Sequence, residues 1–172
     1  RAVPLAVLRE DQLGLSAYPA PKLLARADME KIRAVIMELL LRAYRPETGS
    51  GWNLSALMPE DFLVWRSEAG RDAGAAITFC RSRKVRQGGG RYLLRVLQAA
   101  WPAKPGPFRL APSDVDTLIA VIQRAAGPEN AVIWAMEALE VLKRHPGGGS
   151  DIENAVPITE AGRMALQEIA AK

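Results

Sequence analysis

The sequence contains one cysteine, Cys80, and one histidine, His145. A lone thiol excludes an intramolecular disulfide and favours a reducing, cytoplasmic setting. One thiol and one imidazole are also too few parts for a zinc site of Cys and His ligands or for a histidine-based triad. A buried thiol and a histidine at a helix end account for both residues. Long apolar runs are missing as well. Leu39–Leu41 is hemmed in by Arg33, Glu38 and Arg42, far short of the roughly 18 to 20 residues a membrane span requires, so no membrane partner is expected. Arg1 to Leu8 is too short and too broken for a signal peptide, and it reads as a trimmed or processed start.

The most informative absence is of acid. From Ala73 to Ser113 there is no Asp or Glu, while eight basic residues occur: Arg81, Arg83, Lys84, Arg86, Arg91, Arg95, Lys104 and Arg109. The other 131 residues carry 15 basic and 19 acidic side chains, so a net +4 conceals a +8 segment on a −4 body. Segregated charge of this kind bears on partners, not on fold. Six of the eight, Arg81, Arg83, Lys84, Arg86, Arg91 and Arg95, fall within 15 residues and form the candidate nucleic-acid-binding set. Gly88-Gly89-Gly90 lies between them and could offer backbone donors to a phosphate. No Lys-Ser or Lys-Thr pair follows these glycines and no buried strand precedes them, which excludes a nucleotide loop. No cofactor is implied.

Hydrophobic spacing predicts the elements. Residues 1 to 22 read as an arm with a short helix over Glu10–Leu15. Ile32, Ile36, Leu39, Leu40 and Ala43 recur at helical period, so 23 to 44 is an amphipathic helix that ends before Pro46. Pro59-Glu60-Asp61 resembles a helix first turn, and 59 to 86 reads as helix, tight turn, helix. These make a helical subdomain over 23–87. Beyond the glycines come a helix from Arg91 to Trp101 and a short strand at Phe108–Leu110. A helix capped by Ser113 follows, then a third from Pro128 to His145, a strand at Val156–Ile158 and a final helix capped by Thr159. A boundary is expected at 86 to 91, and the fold class is mainly α.

The closing residues Ile158-Thr159-Glu160-Ala161-Gly162-Arg163-Met164-Ala165-Leu166 resemble the exit from the wing in bacterial winged-helix DNA-binding regulators. The element order from Arg91 onward is similar to theirs. The resemblance implies a winged-helix-like half over 91–172 with a small β wing, and a third helix, about Glu129–Arg144, that enters a DNA groove. This helix departs from that pattern: it carries Glu129, Glu137 and Glu140 against Lys143 and Arg144, and carboxylates repel phosphates.

Paired acids at Glu60/Asp61, Asp114/Asp116 and Glu137/Glu140 are each explained by a helix start or a solvated face, and no nucleophile, base and orienting group can be named together. The chain is therefore not expected to be an enzyme. Trp52, in a loop, could stack on a base or close over the core. The expected function is DNA binding associated with transcription through the basic patch. The alternative is a helical adaptor whose 129–144 face packs on a protein partner or a second copy.

Overall fold

The computed structural model describes residues 3–9, 12–15, 22–54, 58, 61–66, 73–77, 84–102, 107–144 and 157–172. Among these the chain is mainly helical, with five helices: α1 Arg26–Arg42, α2 Gly89–Gln98, α3 Val115–Ala126, α4 Pro128–Arg144 and α5 Glu160–Ala170. The expected amphipathic helix is α1. It buries Ile32, Ile36, Met37, Leu40 and Leu41 along one stripe, as the 3.6-residue period requires.

The N-terminal half also contains a sheet, where helix and arm were expected. Five antiparallel strands run in the order β3–β2–β1–β5–β6, formed by Val3–Arg9 (β1), Gln12–Leu15 (β2), Lys22–Leu23 (β3), Phe62–Arg66 (β5) and Ala73–Ile77 (β6). The helix expected over Glu10–Leu15 is corrected: Gln12–Leu15 is a strand hydrogen-bonded on both sides, with Gly14 opposite Ala6 and also opposite Leu23. A mid-segment glycine disfavours helix, and neighbouring strands supply the alternative hydrogen bonds.

The helix–turn–helix expected over 59–86 is corrected too, into β5, β6 and a third strand, β7 (Lys84–Arg86). The Asp61 N–H donates to the Met58 carbonyl at 3.0 Å, and the Asp61 carboxylate accepts the Met58 N–H at 2.9 Å. The helix-start signal therefore closes one turn. Phe-Leu-Val-Trp then extends, since aromatic and β-branched residues suit a pleated surface with a partner to pair with. Phe62 is fully buried in the core and α1 packs against β6.

β7 pairs antiparallel with β4, Ser50–Trp52, placing Trp52 opposite Lys84 and Ser50 opposite Arg86. Trp52 accordingly sits in a strand and not in a loop, partly buried against the core, which is the packing expected of it in preference to stacking on a base. Ala100–Pro102 (β8) and Pro107–Arg109 (β9) form a two-stranded ribbon. The cap of α3 is Asp114, whose carboxylate accepts the Thr117 N–H at 2.8 Å; Ser113 instead donates its N–H to Glu30 at 2.9 Å. Thr159 caps α5 as expected, accepting from Gly162. Pro157 and Ile158 are not in a strand; Val156 and the expected wing loop lie outside the described residues.

One core cluster draws on both sides of the 86–91 junction. Ile36, Leu40 and Phe62 pack in the same cluster as Leu93, Leu118, Ala135 and Leu166. Two carboxylates on α1 reinforce that continuity: Glu30 reaches Ser113, and Glu38 pairs with both Arg42 at 2.7 Å and Arg124 of α3 at 2.8 Å.

Candidate nucleic-acid interface

The six basic residues singled out from the sequence divide into three groups. Arg81 and Arg83 lie outside the described residues. Lys84 and Arg86 are exposed and, two apart on β7, project from the same face of the β4–β7 ribbon. Arg91 and Arg95 are one turn apart on α2 and share a face; Arg91 is exposed, while Arg95 is half-buried with its Nε enclosed and without a hydrogen-bond partner. Of the two basic residues beyond the set, Lys104 lies outside the described residues. Arg109 is tied down, donating from Nη1 to the Pro157 carbonyl at 2.6 Å, and burial pulls its guanidinium below the usual arginine range.

Among the described residues, Lys84, Arg86 and Arg91 have no carboxylate partner, whereas Arg33, Arg42, Arg124 and Arg144 are each ion-paired. The local absence of acid explains the contrast. β4 contributes Ser50, Gly51 and Trp52, so its pairing with β7 brings the cations a neutral neighbour.

The glycines between the two basic groups do not form a phosphate cradle. The Gly90 N–H donates to the Glu137 carboxylate at 2.8 Å, so an acid from α4 occupies the positive end of α2. Close packing requires glycine at 89 and 90. A Cβ at Gly89 would lie 2.2 Å from the Trp134 indole, and one at Gly90 would lie 2.2 Å from the Glu137 Cβ and 2.7 Å from the Ala138 nitrogen. Aromatics complete the closure. Tyr44 stacks on Tyr92 with centroids 5.1 Å apart and meets Trp134 edge-on at 5.0 Å. The Tyr44 hydroxyl donates to the Gln87 carbonyl at 2.9 Å and the Tyr92 hydroxyl to the Leu40 carbonyl at 2.7 Å. Burial pushes the Tyr44 phenol above its ordinary range, and the nearby Glu137 carboxylate adds to the shift. Nothing in the sequence marked Tyr44, Trp134 or Glu137 as partners of the glycines, because they are 44 to 49 residues away along the chain.

Among the described acids of these pairs, Asp116 is exposed in the first turn of α3 and the other four are engaged. Asp61 closes a turn, Asp114 caps α3, Glu137 caps α2 and Glu140 pairs with Arg144 at 3.2 Å. No group of three metal-ligating side chains occurs among the described residues, and no described helix is long and apolar enough to cross a membrane. Cys80 and His145 fall outside the described residues.

No protein-family model, curated protein or solved structure matches the chain. None of the comparisons identifies a winged-helix regulator.

Proposed function

We propose that this protein binds nucleic acid, with DNA as the first candidate, through a basic strip formed by Lys84, Arg86 and Arg91. One observation carries the reading: among the described residues the three cations are exposed and lack carboxylate partners, in a stretch of sequence without Asp or Glu, and the one acid that α4 brings near, Glu137, is bonded to the Gly90 N–H. Uncompensated cations release counterions from a phosphate backbone, and that release supplies most of non-specific affinity. Arg95, whose Nε is enclosed, is a support residue in this reading and not a phosphate contact.

The helix order α2, α3, α4, α5, with the β8–β9 ribbon between the first two, is what supports a winged-helix-like C-terminal half, but its third helix would set Glu129, Glu137 and Glu140 against phosphates. The strip carries the binding instead, and no catalytic step is assigned to it. The test is fluorescence anisotropy with duplex and single-stranded oligonucleotides across a salt series. Affinity should fall steeply with salt, and the triple substitution Lys84→Ala, Arg86→Ala, Arg91→Ala should flatten the slope of log K against log salt by roughly two to three. Absence of binding at low salt, or a slope unchanged in the triple variant, refutes the proposal.

A helical protein-interaction module is the second reading, favoured by two half-exposed apolar side chains on α4, Ile133 and Met136.

A further inference from the structure

Helix α4 buries Ala131, Trp134, Ala135, Ala138 and Leu142 on one side. The opposite side is a continuous outward stripe of Glu129, Ile133, Met136, Glu140 and Lys143, all exposed. At 100° per residue these five span less than a quarter turn. The middle of the stripe is apolar, with Ile133 51% and Met136 57% exposed. Its beginning is acidic and its end basic.

The spacing is symmetric about Met136. Glu129 lies seven residues before it and Lys143 seven after, about 10 Å along the axis in each direction. A two-fold axis through Met136 would lay α4 antiparallel on a second α4, bringing each Glu129 opposite the other copy's Lys143. The same arrangement sets Met136 against Met136 and opposes the two helix dipoles. Arg144, paired within its own helix to Glu140, would flank that contact.

We infer that the outward face of α4 is a self-complementary docking surface and that its occupant is a second copy of this chain, packed antiparallel about Met136. Charge selects this occupant. A nucleic acid would meet Glu129 and Glu140 with its phosphates, whereas a second α4 meets each acidic end with a basic one. Two apolar side chains per copy make a small interface, so association belongs in the micromolar range or weaker. The inference does not depend on the basic strip at Lys84–Arg91.

Sedimentation velocity over a micromolar concentration series should show a monomer–dimer equilibrium. Glu129→Lys and Lys143→Glu should each raise the dimer dissociation constant about tenfold, because an isologous interface contains every contact twice. Combining the two reversals should restore it. Crosslinking gives an independent reading in a Cys80→Ser background. Met136→Cys, on the axis, should form a disulfide with its own mate under mild oxidation, and Ile133→Cys, displaced from the axis, should do so far less. A protein that stays monomeric throughout the series overturns the inference. So does a dimer that the charge reversals leave unchanged or that the double reversal fails to restore. A dimer that persists unweakened in Met136→Glu, which would set two carboxylates against each other on the axis, would also overturn it.

Discussion

Two neighbouring regions, the β7 strand at Lys84–Arg86 and the α2 start at Gly88–Gly90, are joined by the single residue Gln87 and have opposite characters. The first is open and charged, with two cations facing solvent and no acid beside them. The second is closed: Gly89 and Gly90 are pressed against Trp134 and Glu137, the Gly90 N–H is taken by a carboxylate, and the aromatic wall is stacked. Charge density along the chain makes the two look like one anion site. Their packing separates them into a surface available for contact and a joint that locks α4 to the start of α2. Glycine next to arginine is therefore not evidence of phosphate binding until the destination of the backbone donors is known.

The comparison can be broken most severely at Gly90. Adding one methyl group there drives it into the Glu137 Cβ and the Ala138 backbone, and backbone cannot swing aside. Gly90→Ala should cost about 3 kcal/mol or more and lower the melting temperature by roughly 10 °C. Gly88→Ala is the matched control. Its φ is −66° and its added Cβ would lie 3.7 Å from the Glu137 carboxylate, an ordinary contact, so its stability should stay within about 0.5 kcal/mol of the parent. If thermal denaturation finds both substitutions equally mild, the junction is a loose linker and the closed description fails.

An intermediate effect is expected at Tyr44. Removing its hydroxyl leaves the Gln87 carbonyl without that donor, so Tyr44→Phe should cost about 1 to 2 kcal/mol. The pH dependence follows from the raised phenol. Below the unfolded tyrosine value of about 10 both states hold the proton and the contribution is fully present. As pH rises through the higher folded value that contribution is lost, because the unfolded chain releases its proton first. Denaturant titrations above pH 9 should therefore show a steeper alkaline loss in the parent than in Tyr44→Phe. Equal slopes would show that the phenol titrates freely.

The C-terminal helices were legible because α3 and α4 repeat apolar residues at helical period and carry dipole-matched acids and bases at their ends. The strands of 62–86 were not. Phe62–Arg66 has no strict alternation of apolar and polar residues, and its state was decided by β1 and β6 on either side, which no local window contains. The cations of the site were visible as a charge excess, but the plug at Gly90 depended on Glu137, 47 residues on. Local signals thus located the charge, and only tertiary packing showed which donors were already used.

The smallest expected effect sharpens the open half of the comparison. Lys84 and Arg86 face solvent without ion-pair partners among the described residues, so neither holds an element in place. Lys84→Ala with Arg86→Ala should change unfolding free energy by no more than about 0.5 kcal/mol, measured by urea titration. Relief of repulsion between like charges two apart on one strand face acts in the stabilising direction. A loss of 2 kcal/mol or more would mean that these side chains support the β4–β7 ribbon, and their exposure would then have a structural explanation. A neutral result leaves them as cations held at the surface with no structural duty, the property a phosphate-contacting strip requires.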